Sequence, residues 1–337
     1  MIENKHCCPL PELPSLSTKS LHCLRTPLLN SNKCIGSVDG WLIVSDNSEK
    51  GFAKIFFLNP VTDVRITIPS KLYLPSIIGE GISYVSKMTA SSKPNCDGSD
   101  CYLAGLLSDY YIAIYKLFEK SWTIVEPDKD SGTYFMDIEI IGTKLYVKGS
   151  SLLVYDLKDS TNGPPKAEVL AKFPRRPARS SSYISFLAKD KTLRELYFIS
   201  MYYNREFEAE QFVSYRFNGN ITAYTNPPHV TSVEVFKLDT NKSPIGWKNV
   251  TLEDKVAFVS KCKSMVMSRD DLNHSEELVR GNSIYFAVTF PCPLFNPLRS
   301  FEVGMFCLND SRVKYGPMET SKHGYVLYPL WFVPSLW

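Results

Sequence analysis

Few residues in this chain have the type and spacing to do chemistry. The general bases available near neutral pH are five histidines, His6, His22, His229, His274 and His323. A serine or cysteine nucleophile would need one of them in reach and a turn to present it, and no Gly-x-Ser-x-Gly elbow occurs. The zinc spacings His-Glu-x-x-His and paired Cys-x-x-Cys are also absent. Each histidine therefore reads as a surface or loop residue. The run Asp128-Lys129-Asp130-Ser131-Gly132, with Glu139 beyond, has some acid spacing of a calcium loop. In an EF-hand loop the glycine falls one place later and helices flank it, whereas these flanks read as strands, so the run reads as a solvated turn. Gly79-Glu80-Gly81 is too short to cradle phosphate and precedes a strand rather than a helix. Asp39, Asp137 and Asp239 sit at turn or strand boundaries, where acids could converge on a central channel and where an ordinary turn Asp also occurs. No catalytic, metal-binding or cofactor-binding residue is assigned.

Such residues would have to be positioned by strands. Gly36-Ser37-Val38-Asp39-Gly40-Trp41-Leu42-Ile43-Val44 reads as a polar turn running into a strand headed by an aromatic. Ile55-Phe56-Phe57-Leu58 follows and stops at Asn59-Pro60, and then Val64–Ile68 stops at Pro69. That is an antiparallel meander. The unit recurs: 102–107, a two-residue link at Ser108-Asp109, 110–116 and 122–125; then 134–140, 144–147, 152–157 and 167–173; then the hairpin 182–186 with 193–200. Later strands are expected at 233–239, 247–250, 256–259, 265–268, 281–288, 301–308 and 312–315, with a short helix within 269–279. Roughly twenty short strands separated by Gly, Pro, Asn and Asp turns are too many for one sandwich and suit a radial array. The expected fold is all-β, a β-propeller of about six blades, or five, each a four-stranded antiparallel sheet. Residues 1–19 read as a tether and 20–337 as the propeller, with the apolar tail 330–337 closing the ring.

Composition agrees. Nineteen Tyr and nineteen Phe favour strands. The net charge of +3 argues against a nucleic acid partner, which needs a concentrated basic face. The basic patch 174–179 reads as a solvated loop, with an import signal or an acidic-partner contact as the alternatives. Aromatics at turn edges read mostly as packing between blades, with a binding rim as their other use. Cys7, Cys8, Cys23, Cys34, Cys96, Cys101, Cys262, Cys292 and Cys307 form no Cys-x-x-C pair, and no secretory leader is legible at Met1. They read as reduced, small buried hydrophobes, and the sequons at Asn220, Asn241, Asn249, Asn273 and Asn309 as chance matches. No apolar run approaches the ~20 residues of a membrane span. A monomer of the cytoplasm or nucleus is expected.

The placed strands resemble a known family. Cys34–Leu42, Leu58-Asn59-Pro60-Val61-Thr62, Val235–Asp239 with Trp247 and Val250, Gly281–Phe286 and Leu330–Ser335 occur in the order seen in the C-terminal β-propeller of plant F-box-associated proteins, the kinase-inhibiting F-box kind. The resemblance implies a kelch-like, non-catalytic protein-interaction propeller that recognises a protein target for a ubiquitin ligase. In that family an F-box docks on the Skp adaptor and cullin. No F-box is legible before Leu21, so this contact is expected only if one lies upstream. A propeller enzyme with a central hydrolase or oxidoreductase pocket, and a family member without a selected role, are the alternatives. The expected contact loops are 89–100, 204–211 and 269–279.

Overall fold

A computed structural model describes residues 13–14, 21–22, 32–77, 81–94, 101–116, 120–126, 134–158, 165–175, 182–204, 213–215, 221–223, 229–272, 279–288, 302–315 and 331. Apart from one 3-10 turn at Asp270–Leu272, the regular elements among these residues are strands. That turn lies where a short helix was expected, and the Asp270 N–H donates to the Ser268 hydroxyl at 3.4 Å.

Twenty-one strands form five radial groups. The first is β1 Lys33–Val38, β2 Trp41–Asp46, β3 Phe52–Leu58 and β4 Arg65–Thr67. The second is β5 Val85–Ala90, β6 Tyr102–Leu107, β7 Tyr111–Lys116 and β8 Ser121–Val125. The third is β9 Asp137–Ile141, β10 Lys144–Lys148, β11 Ser151–Asp156 and β12 Ala167–Lys172. Each is an antiparallel meander in chain order. The fourth group is β13 Ser182–Asp190, β14 Leu196–Asn204, β15 His229–Asp239 and β16 Gly246–Asn249, and a short parallel pairing of Lys189-Asp190 with Met265-Val266 joins it to the fifth in one nine-stranded sheet. The fifth departs from the meander: β17 Lys255–Ser260 lies between β18 Met265–Ser268 and β19 Ser283–Val288, which it pairs in parallel. β20 Glu302–Cys307 and β21 Arg312–Tyr315 complete it. Five groups among the described residues is the lower of the two expected counts.

Turn chemistry sets the registers. Asp39 and Gly40 both have positive φ, 42° and 83°, the hairpin geometry whose twist matches the strands it joins. Ser108 and Asp109 do the same at 46° and 65°. The Asn59 carboxamide accepts the Val61 and Thr62 N–H groups at 2.9 and 3.2 Å, which makes Asn-Pro a stop signal.

The core is the set of layers between groups, not the interior of any one sheet. Strand side chains alternate, so one strand feeds two layers. On β2, Trp41 and Ile43 face the second group while Leu42 and Val44 face the other way. On β6, Leu103 and Leu107 join the first layer, and Tyr102, Ala104 and Leu106 join the next. On β14, Tyr197, Ile199 and Met201 separate from Leu196 and Phe198 in the same way. Both faces being buried explains why these strands read as continuous apolar runs, each fully buried Phe or Leu contributing about 1.5–3 kcal/mol. Aromatics join neighbouring groups: Phe173, after β12, stacks on Trp247 of β16 at 5.7 Å, and the Trp122 indole donates to the Ser70 carbonyl at 3.0 Å.

The inner strands β1, β5, β9, β13 and β18 pack side by side in that order. Gly36 lets β1 press onto β5, since a Cβ there would meet the Met88 carbonyl oxygen. The series returns to its start where the Cys262 thiol reaches the Cys34 carbonyl at 3.8 Å. Trp331 spans the same seam: its indole donates to the Val259 carbonyl at 2.8 Å, its carbonyl accepts from Ser37 at 3.3 Å, and its ring packs on Phe258. That contact lies in the segment expected to close the ring, of which 330 and 332–337 fall outside the described residues.

Candidate functional site: the ring centre and its upper mouth

The inner strands keep apolar side chains for the layers and turn polar ones to the ring axis. On β9, Ile138 and Ile140 enter a layer, and Asp137 and Glu139 point to the axis. On β5, Met88 and Ala90 enter a layer, and Lys87 and Thr89 meet those acids. Two tiers result. In the upper tier the Lys87 ammonium lies 2.6 Å from Asp137 Oδ1, and Asp137 Oδ2 accepts the Leu187 N–H at 2.7 Å. In the lower tier Glu139 accepts the Thr89 hydroxyl at 2.8 Å and lies 3.7 Å from Lys189 and 3.5 Å from Lys263. Asp137, Glu139, Lys87 and Lys263 are all buried.

These groups perturb one another strongly. Burial alone would push the Glu139 carboxyl up, but Lys263, Lys189, Lys87 and the Thr89 hydroxyl outweigh it and hold the group at about 2. Burial pushes Lys263 down to about 8 despite the pull of Glu139, with Lys189 and Lys87 adding to the push. Burial also disfavours the Lys87 cation, yet Asp137 and Glu139 keep its proton affinity above the usual lysine value. At the opposite end of the ring Asp190 accepts the Thr192 and Leu193 N–H groups and pairs with Lys255 at 2.8 Å.

The end where the inner strands begin, here the upper face, is built differently. Tyr84 precedes β5 and exchanges bonds with the β6–β7 turn, its N–H donating to the Ser108 hydroxyl and its carbonyl accepting the Ser108 N–H, both at 2.9 Å. Phe135, before β9, donates its N–H to Asp109 of that turn at 2.8 Å, and Tyr134 packs edge-on to Tyr110 at 5.2 Å. Met136 donates to the Lys148 carbonyl at 2.7 Å, which brings in the β10–β11 turn. Lys33, at the start of β1, sits over the Tyr84 ring at 5.1 Å. Burial pushes the Asp109 carboxyl up, opposed by the charges of Lys261 and Lys148. Ile82, Tyr84, Tyr134 and Met136 are 40–55 % exposed at this face. The result is an exposed apolar rim at this end, with the half-buried Lys33 over the Tyr84 ring.

Of the three carboxylates expected at a channel, only Asp137 reaches it. Asp39 occupies an exposed hairpin turn, and Asp239, at the end of β15, caps the Asn241 N–H at 3.1 Å and lies 3.6 Å from Lys242. Asp137 and Glu139 are both paired with lysine. Glu139, read in the sequence only as the trailing acid of a calcium-like run, is an axial residue; the alternation Asp137-Ile138-Glu139-Ile140 was its signal. The contact loop expected at 89–100 is corrected in part: Thr89 and Ala90 complete β5, Thr89 is buried, and its hydroxyl is bound to Glu139. Residues 95–100, 205–211 and 273–278 of the expected contact loops, and 127–133 with most of the calcium-like run, lie outside the described residues. So do 176–179 of the basic patch, together with His6, His274 and His323, while His22 and His229 fall in strands. Cys34, Cys101, Cys262 and Cys307 are free thiols, and burial pushes Cys34 up to about 12, an unreactive state. Among the described residues no helix is long and apolar enough to cross a membrane.

Radial antiparallel sheets around a common axis define the chain as a β-propeller. A sequence model of the KIB1-4 beta-propeller matches residues 13–311, and the chain belongs to that family, the plant F-box-associated propellers. No curated protein matches it in sequence. Solved structures similar to it include the N-terminal domain of Nup159 (11 % identity, TM-score 0.35, covering 86 % of this chain and 60 % of that one). The WD40 domain of SCAP from fission yeast matches at 11 % identity and TM-score 0.30, covering 87 % of this chain and 65 % of that one. The Cps50 (Swd1) propeller domain of Myceliophteria thermophila matches at 10 % and 0.38, covering 86 % and 88 %. The chain thus spans under two thirds of the Nup159 and SCAP domains.

Proposed function

We propose that this propeller is a non-catalytic protein-binding module that captures a partner through its upper face, as the target-recognition part of an F-box-type ubiquitin ligase adaptor does. One observation carries the reading: the exposed apolar side chains Ile82, Tyr84, Tyr134 and Met136 gather at one end of the ring, above a centre whose acids are already paired with lysines. An apolar patch rimmed by polar groups supports a partner surface. A rigid ring also holds loops from several blades in fixed relation, which lowers the ordering cost of binding. Contact with a Skp adaptor belongs to an F-box, and the propeller's own contribution is the target. The chain is expected to act as a single propeller, residues 20–337, in the cytoplasm or nucleus.

Affinity capture from plant extract tests this, comparing the wild-type chain with a Tyr84→Ser, Tyr134→Ser, Met136→Ser variant. Proteins retained by the first and lost by the second are the expected result. Equal recovery by both, in each of several tissues, refutes a role for this face.

A further inference from the structure

The seam where the ring closes holds two thiols. Cys34, on β1, is half-buried and packs against Leu42, Val44, Phe56 and Leu58 on the face turned away from the second group. Cys262, fully buried, stands in the turn between β17 and β18 of the fifth group. The two are 228 residues apart in sequence, yet the Cys262 thiol donates to the Cys34 carbonyl at 3.8 Å. Each is presented by a shaped piece of backbone. The β1–β2 register shifts between Cys34 and Gly36, and such a bulge re-aims the side chain beside it. The Cys262 turn is tied by the Ser264 hydroxyl, which donates to the Ser260 carbonyl at 3.1 Å, and by the Ser260 hydroxyl, which donates to the Lys263 carbonyl at 2.8 Å. The Cys34 thiol donates to the Gly36 carbonyl at 3.6 Å, a weak bond that a change of rotamer gives up. Charge on Cys262 adds to burial in raising the Cys34 thiol, as it does when two sulfurs lie near one another.

We infer that Cys34 and Cys262 form a redox clasp: a hydroperoxide joins them in a disulfide that bonds the first group to the fifth and closes the ring covalently. Cys34, the more exposed of the two, reacts first. Its sulfur, having lost its proton, attacks one oxygen of hydrogen peroxide. An S–O bond forms, the O–O bond breaks, and the departing hydroxide takes up that proton as water. The Cys262 sulfur then attacks the Cys34 sulfur. The S–S bond forms, the S–O bond breaks, and the second hydroxide leaves as water with the Cys262 proton. The two sulfurs together give up two electrons and the peroxide oxygens gain them. Burial keeps both thiols protonated in the resting ring, so the clasp is slow and answers sustained oxidation. A bridge across 228 residues takes much of the freedom from the unfolded chain, which makes the oxidised ring the more stable one.

The test treats the folded full chain with hydrogen peroxide and maps its peptides without reduction. A Cys34–Cys262 cross-link is expected, with a rise of about 5–10 °C in melting temperature that dithiothreitol reverses. In Cys262→Ala the reaction stops at a Cys34 sulfenic acid, which dimedone captures. In Cys34→Ala, Cys262 stays reduced and peroxide leaves the melting temperature where it was. A Cys101→Ala, Cys307→Ala variant keeps the cross-link. The wild-type map decides the matter even where a variant fails to fold. The inference is overturned if the folded chain yields no Cys34–Cys262 cross-link, if the cross-link forms only after urea unfolding, if either thiol pairs with another cysteine instead, or if the cross-link leaves the melting temperature unchanged.

Discussion

Replacing Lys87 by Met should cost more stability than its neighbours' exposure would lead one to expect. The Lys87 side chain is 2 % exposed and that of Asp137 is 6 %, with 2.6 Å between the charged atoms. Met roughly keeps the volume but removes the ammonium. Asp137 then keeps the Leu187 N–H at 2.7 Å and the Ile138 N–H at 2.8 Å but loses its ion-pair partner. A buried charge stripped of its partner costs about 3–5 kcal/mol. Asp137→Asn alone should cost a similar amount by leaving the Lys87 ammonium under-compensated. The two together remove both charges. The Leu187 and Ile138 N–H groups bind different oxygens, so asparagine keeps one of them and turns its NH2 toward the other, and the double variant should lose only about 1–3 kcal/mol. The expected signature is a double variant more stable than either single one. Urea unfolding at neutral pH, followed by the fluorescence of the five tryptophans, gives the three free energies by linear extrapolation. A Lys87→Met loss under about 1 kcal/mol, or simple addition of the two single losses, would refute the coupled-charge account of the ring centre.

Three further outcomes are expected. Glu139 is held at about 2 against a usual 4.5, so its share of stability is complete above pH 4.5 and is lost as pH falls toward 2; Glu139→Gln should flatten that acid limb of the melting temperature. Gly36→Ala should destabilise by about 1–3 kcal/mol or more, because its Cβ meets the fixed Met88 carbonyl rather than a movable side chain, and a urea midpoint equal to wild type would contradict the close approach of β1 and β5. Trp331→Ala should cost about 3 kcal/mol through the lost Phe258 packing and the 2.8 Å bond to Val259, raising amide exchange in β17 and β1 ahead of β9; uniform exchange would show that it does not hold the seam.

The amino-acid sequence by itself determined the strands and their turns. Asp39-Gly40, Ser108-Asp109 and Asn59-Pro60 act through local backbone preference and short side-chain bonds, so they could be placed without knowing what lay across the ring. It also determined the family, because the short motifs from Cys34 to Ser335 occur in fixed order. Tertiary structure alone decided where the charges went. Lys87 and Asp137 are 50 residues apart, and Glu139 and Lys263 are 124 apart, and nothing local marks them as partners. A lysine or acid on a strand reads as solvent-facing until an inner strand's polar side is seen to turn toward an axis shared with four others. The upper face depends on the same long-range closure: Tyr84, Tyr134 and Met136 are unremarkable beside their own strands, and they become one rim only because β5 and β9 start at the same end of the ring.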